Sequence, residues 1–297
     1  MAKKLLVLAF TAFALAASAC GSPASSSNSS GASSGALNCT PAALQTHTPG
    51  TLTIGTDNPA YDPYFTGPAG GQWKGQYNHD PTTGKGFEDA VAYAVAQQLG
   101  YPTDKVDWTA LGWKQSFAPG PKDFDFYLAQ VSINPQREQN ADFSLPYYSS
   151  TQAIVAKPGS PITKATSLAD LKGYQLGTES GTTSYDDIQA KIAPDKQPKV
   201  YDTTNDATQA LANGQIDGLV VDFPSAYYIA NVEPGGLKIV GQFTGGGGSE
   251  QWGLVMAKDS PLTACVNKAM ASLKSSGKLQ AIEQQWLANL SHAPMLS

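Results

Sequence analysis

The chain carries little charge and almost no cysteine or histidine. Of its 297 residues 14% are charged, with 19 Lys and Arg against 24 Asp and Glu, for a net charge of −5. Without a basic excess to meet a phosphate backbone, nucleic acid is not expected as a partner. The three histidines, His47, His79 and His292, are far apart with no ligand spacing, so no metal site is expected. The Gly-rich run "TGGGGSE" (244–250) lacks the Lys-Ser/Thr of a phosphate loop and reads as a flexible connection between strands, and no cofactor is implied. What is present is 41% hydrophobic residues, enough for one or two ordinary cores, and 29 Gly with 20 Pro, which suits a chain of many turns rather than a helical bundle.

Residues 1–19 read as a secretory signal peptide: "MAKK" is its basic start, "LLVLAFTAFALAA" its apolar body, and small residues precede Cys20. A cysteine at that point resembles the lipobox of bacterial lipoproteins, which implies acylation of Cys20 and an anchor in the membrane. Residues 20–38 then form a Ser/Gly tether that buries no apolar surface. Two cysteines remain, Cys39 and Cys265; in an exported protein they are either a disulfide or two free thiols.

From residue 51 short strand-like runs alternate with helical ones. "TLTIGTD" (51–57), "KVDWTAL" (105–111), "DFDFYLAQV" (123–131), "TQAIVAK" (151–157), "YQLGTES" (174–180), "KVYDT" (199–203), "IDGLVVD" (216–222), "LKIVGQF" (237–243) and "QWGLVMAK" (251–258) read as strands. Between them "GFEDAVAYAVAQQLG" (86–100) sets Phe87, Val91, Ala94, Val95 and Leu99 on one helical face. Further helices are expected over 167–173, 182–192, 205–214, 223–231, 261–277 and 278–290. Strands alternating with helices predict parallel, doubly wound sheets, and their number predicts two α/β lobes rather than one.

Ligands of such sheets bind beyond the carboxyl ends of strands. The polar residues closing these runs are Asp57, Gln130, Ser132, Arg137, Glu179, Thr182, Thr183 and Asp222. Arg137 offers a planar fork for a carboxylate, or is a surface cation beside Glu138 and Asp142. In "ESGTTSYDD" (179–187) a turn at Gly181 opens a helix whose free N–H groups favour an anion. Asp222 closes an apolar strand and calls for a cation, or caps the helix that follows. An anion site and a cation site together suit a zwitterion, and an α-amino acid fits both.

In order, "TLTIGTDNPAYDPYF", "GKGFEDAVAYAVAQQLG", "DFDFYLAQVSINPQREQNADFSLPYY", "YQLGTESGTT", "QIDGLVVDFPS" and "EQWGLVMAKDSPL" resemble the successive blocks of the bacterial extracellular solute-binding proteins of family 3, over about residues 50–290. The resemblance implies a two-lobed periplasmic-binding-protein-like fold of type II, its doubly wound sheets joined by two crossover strands. Lobe 1 would be 39–147 plus 247–297, and lobe 2 would be 148–246. It further implies that Ser132 and Arg137 hold an α-carboxylate with Thr182 and Thr183, while Asp222 and Gln130 receive the amine. Tyr61 and Trp113 would cover the ligand side chain, and Asp57, Glu88 and Glu179 would read its far end. Asn134 and Pro135 depart from the pattern, as does the longer "DNPAY" before Tyr61.

The implied function is an extracytoplasmic, lipid-anchored, monomeric receptor that delivers a free L-amino acid to an ABC permease and its ATPase. The acidic far end favours a basic ligand, with a neutral polar one such as glutamine next. The same fold also serves sensors that signal to a membrane kinase. A few relatives are dehydratases with a cleft carboxylate as general acid, for which Glu88 or Glu179 would be the candidates here.

Overall fold

The computed structural model describes residues 37–68, 78–232, 235–245, 250–288, 290 and 293–297. The expected signal peptide, Cys20, most of the tether, His292 and the centre of "TGGGGSE" lie outside the described residues.

In chain order the first elements are β1 (Leu52–Thr56), α1 (Phe87–Gln98), β2 (Val106–Ala110), the one-turn α2 (Trp113–Ser116), β3 (Phe126–Tyr127), the one-turn α3 (Pro135–Glu138), β4 (Ala141–Phe143) and β5 (Tyr148–Ser150). There follow β6 (Gln152–Ala156), β7 (Leu176–Glu179), α4 (Thr183–Asp187), β8 (Lys199–Tyr201), α5 (Thr204–Ala212), β9 (Gly218–Asp222), α6 (Phe223–Asn231) and β10 (Lys238–Phe243). The chain closes with β11 (Glu250–Trp252), β12 (Val255–Ala257), α7 (Thr263–Ser275) and α8 (Lys278–Leu287). The expected helix at 167–173 is a single 3-10 turn over Ala169–Leu171, and the second half of the one expected at 182–192 is a π turn over Ile188–Ile192.

Two five-stranded sheets form the two lobes, ordered β2-β1-β3-β12-β4 and β10-β6-β9-β7-β8, with β5 and β11 pairing separately as a two-stranded ribbon. The sheets are mixed, not wholly parallel as expected. β1 is parallel to β2 and β3, and β7 to β8 and β9, but β12 opposes β3 and β4, and β6 opposes β9 and β10. The physical reason is the ribbon. β6 follows directly from β5 and β12 from β11, so each enters its lobe at the cleft and runs away from it, while β1, β7 and β9 run towards it. Alternation of strand and helix carries no information on that reversal.

Because helices cover both faces, central strands are buried throughout: all five residues of β1 and of β6 are buried. α1 buries the face expected of it, Phe87, Val91, Ala94, Val95 and Leu99, against α7 and α8. Its entry depends on Gly86, at φ 121°, where a Cβ would meet the Tyr64 carbonyl at 2.2 Å. The ribbon is packed by Trp252, fully buried, with the rings of Tyr148 at 4.7 Å and Tyr64 at 5.7 Å.

Two features of lobe membership differ from expectation or resolve it. The last residues do not stay with the first lobe: Leu296 is buried among Ile154, Val220 and Phe243, Gln242 N–H donates to the Pro294 carbonyl, and Leu296 N–H donates to the Gln242 carbonyl. Cys39 and Cys265 form a disulfide, with Cα atoms 5.5 Å apart, that ties the start of the domain to α7. The bridge spans 226 positions, so its removal frees much unfolded-state entropy. Replacing both cysteines by serine is expected to lower stability by about 2–4 kcal/mol in guanidinium denaturation. Coincident unfolding curves for the two proteins would refute that expectation.

Candidate functional site

Between the lobes lies a cleft, partly open to solvent. Its first-lobe wall comes from the ends of β1 and β3 and from α2: Asp57, Tyr61, Trp113, Gln130 and Ser132. The second-lobe wall comes from the ends of β7 and β9 and the helices after them: Glu179, Thr182, Thr183, Thr204, Asp222 and Ser225. Among the described residues that line it four are acidic (Asp57, Asp62, Glu179, Asp222) and none is Lys or Arg. Hydrogen bonds cross the cleft directly, from Tyr64 to Ser225 at 2.9 Å and between the hydroxyls of Ser132 and Thr183 at 3.4 Å. Lys114 reaches Ser180 on the far side.

Of the expected residues, Glu88 and Arg137 are not on the wall. Glu88 is fully buried beneath it, accepting from the Gln130 backbone at 2.7 Å, the Gln130 amide and the Tyr147 hydroxyl. It therefore does not read the far end of a ligand. It holds Gln130 at its positive φ of 51°, which is what breaks the expected strand 123–131 after Tyr127 and turns the chain towards Ser132. Burial pushes the Glu88 carboxyl up to about 7, against the pull of its three donors. Gln130 stays on the wall, but both its donors face back to Glu88.

Arg137 stands one layer behind Ser132, 6% exposed. Its guanidinium packs against the rings of Trp113 and Phe117, 4.9 and 4.7 Å from their centroids, and donates to the carbonyls of Ser132 at 2.7 Å and Gly181 at 3.2 Å. It is not the surface partner of Asp142, which pairs with Lys258 at 3.4 Å instead. Desolvation lowers its pKa to about 10, while Glu250, Asp222 and Asp186 act the other way, so it stays cationic at neutral pH. The departure at Asn134 and Pro135 has a local role. Asn134 caps α3 by accepting from the Arg137 N–H at 2.8 Å, and Pro135 opens the turn, so the pair fixes the backbone that carries the arginine.

Asp222 stands at the N-cap of α6 yet makes no side-chain cap bond. Its carboxyl accepts from the Gln152 amide at 2.8 Å. Desolvation, then Glu250, raises its pKa well above the ordinary range, with Gln152 and Arg137 opposing. Asp57 is raised to about 6 by desolvation despite the Asn58 and Trp113 N–H groups. Glu179 is raised to about 7 by desolvation first and by Asp57 in addition, with the Thr204 hydroxyl at 2.8 Å and Lys114 lowering it. Thr182 donates to the Glu179 carbonyl at 2.8 Å, which ties the helix start to the end of β7.

Sequence reasoning missed Glu250, Thr204, Ser225, Phe117 and Gln152. A hydroxyl in the first turn after a strand is the signal that could have found Thr204 and Ser225. Glu250 ends a Gly/Ser-rich run and reads as a solvated charge.

The model of the bacterial extracellular solute-binding proteins, family 3, matches residues 53–289. The arginine-binding extracellular protein ArtP of Bacillus subtilis (strain 168) is 28% identical over 211 residues, 68% of this chain and 77% of its own. Among solved structures, an ancestral arginine-binding protein bound to arginine is 30% identical with a TM-score of 0.65, covering 80% of this chain and 98% of that one. The ancestral arginine-binding protein bound to glutamine is 29% identical with a TM-score of 0.66, covering 82% and 100%.

Proposed function

This chain belongs to the bacterial extracellular solute-binding proteins, family 3, and we propose that it captures an L-amino acid with a cationic side chain for delivery to an ABC permease. One observation carries the choice of ligand. Asp57 and Glu179 line the same largely buried cleft, both raised by desolvation and Glu179 by Asp57 as well; no Lys or Arg is among the described residues of the wall, and Lys114, off it, lowers Glu179 only in part. Arginine, lysine or ornithine supplies that charge. A neutral glutamine leaves both carboxyls without a cationic side chain.

In this reading the ligand's α-carboxylate lies against Ser132, Thr182 and Thr183 under the field of Arg137, and its ammonium meets Asp222. Tyr61 and Trp113 flank the side chain. Residues 39–147 and 247–288 move as one lobe and 148–246 as the other, with the tail at 293–297 travelling with the second. Contacts made to both lobes at once favour the closed arrangement by differential affinity. The protein binds and releases rather than converts: Glu88, one of two acids a dehydratase would call on, lies under Gln130 and Tyr147 and off the cleft. Acylated at Cys20, it works as a monomer outside the cytoplasmic membrane.

A thermal-shift screen of the twenty amino acids and ornithine tests this. A ligand at a hundred times its dissociation constant stabilises by about 2.7 kcal/mol. Arginine, lysine or ornithine is expected to give the largest shift, and glutamine a smaller one. No shift with any of them would end the amino-acid reading. A largest shift with glutamate would end the cationic one.

A further inference from the structure

Glu88 lies off the cleft, yet its two oxygens divide three donors between them in a way that bears on the wall. Oε1 accepts from the Gln130 backbone N–H at 2.7 Å and from the Tyr147 hydroxyl. Oε2 accepts from the side-chain amide of Gln130. The carboxyl is fully buried, and so in effect is Tyr147, whose own N–H donates to the Trp252 carbonyl at 2.9 Å. Glu88 is therefore held from the side of the ribbon and holds Gln130 on the side of the cleft. Of these three residues it is Gln130 that lines the cleft.

A glutamine amide has a donating end and an accepting end, and on an open wall either can face a ligand. A carboxylate only accepts, so here the nitrogen must face Glu88. Turning the amide round would set oxygen against oxygen where water cannot relieve them. Resting on the amino-acid reading of the cleft, we propose that Glu88 is a positioning residue for specificity: it binds the nitrogen end of the Gln130 amide, so that the oxygen is the end presented to the ligand's α-ammonium. An ammonium only donates, and it matches that oxygen as it matches Asp222. An α-keto oxygen only accepts, and an α-hydroxyl donates one bond without the charge. Such acids are disfavoured even where their carboxylate fits.

The separate tasks of the two oxygens supply the test. In Glu88→Gln the amide oxygen keeps the two donors of Oε1, and a nitrogen stands in place of Oε2. Two nitrogens then meet, and the Gln130 amide turns round to offer its oxygen inwards and its N–H groups to the ligand. Calorimetric titration at pH 8, where the Glu88 carboxyl with its value of about 7 is ionised, compares L-arginine with its α-hydroxy analogue, argininic acid. The weaker ligand is read by competition. If the thermal-shift screen selects another amino acid, that one and its α-hydroxy analogue replace the pair.

The wild type is expected to prefer the amino acid, and the variant to lose roughly 10- to 100-fold of that preference, the size of one hydrogen bond to a charged group. A merely structural role would weaken both ligands by the same factor. An unchanged preference in the folded variant therefore overturns the proposal and leaves the amino-acid reading standing. Binding of no amino acid by the wild type overturns both. Should Glu88→Gln fail to fold, Gln130→Met decides instead, because it removes the amide and leaves Glu88 in place. Its preference for the amino acid is expected to fall by about tenfold. A preference equal to that of the wild type overturns the proposal.

Discussion

Arg137→Ala is expected to weaken amino-acid binding by about 2–5 kcal/mol, roughly 30- to several-thousand-fold in a calorimetric titration. The reason is not a simple contact count. Arg137 is buried behind Ser132, packed against the rings of Trp113 and Phe117, and still cationic at neutral pH. A positive charge fixed in so dry a place acts strongly on a carboxylate at Ser132 and Thr183, and water cannot substitute for it once the site is closed. It also donates across the cleft to Gly181, so its loss weakens the closed arrangement itself. Arg137→Lys separates these roles. It keeps the charge but neither the fork nor the flat stacking surface, and is expected to recover only part of the affinity. A folded alanine variant with near-unchanged affinity would remove Arg137 from the site.

How far the site could be read from sequence depends on what fixes each residue's direction. Asp57, Glu179 and Asp222 were legible because the end of an apolar run marks the end of a strand, and strand ends meet at the cleft. Glu88 was legible as a residue of the first turn of α1 but not in its burial or its direction. Which side of α1 faces the cleft is set by Tyr147, 59 positions away, and by the backbone of Gln130. Arg137 was legible as a cation just beyond the end of a strand, but its burial was not, because the rings it packs against come from a one-turn helix and the residue after it, with no periodic signature. Glu250 is defined by pairing with residues 100 and more positions distant, and its neighbours in sequence are Gly and Ser. The same holds for Leu296, an apolar residue in a polar tail whose place in the second core comes only from contact with Gly241 and Phe243. Local pattern gives the elements and their ends; sequence-distant contacts decide which polar groups face inwards.

The pair Asp57→Asn with Glu179→Gln is expected to weaken arginine binding by about 3–6 kcal/mol, two charge-assisted bonds at about 1.5–3 kcal/mol each, or roughly 10^2- to 10^4-fold. Glutamine affinity should change by less than about tenfold, since an amide can meet an amide as well as a carboxyl. The same two groups set opposite pH trends in the free and the bound protein. Their folded values, about 6 and about 7, lie above the unfolded carboxyl range near 4. Below pH 4 both are protonated in either state and cost nothing. As the pH rises towards 7 the unfolded chain gives up its protons first, the folded chain retains them longer, and stability falls. Arginine reverses the trend because it binds the ionised forms, so its affinity should climb between pH 5 and pH 7 while the free chain's melting temperature declines. In the double variant both slopes flatten, because neither amide titrates. Melting curves and titrations at pH 5 and pH 7, on wild type and variant, measure all four quantities. An arginine affinity that survives the double substitution would place the ligand's cationic end elsewhere in the cleft. A wild-type protein that is more stable at pH 7 than at pH 5 would show that these two carboxyls do not govern its acid-side behaviour.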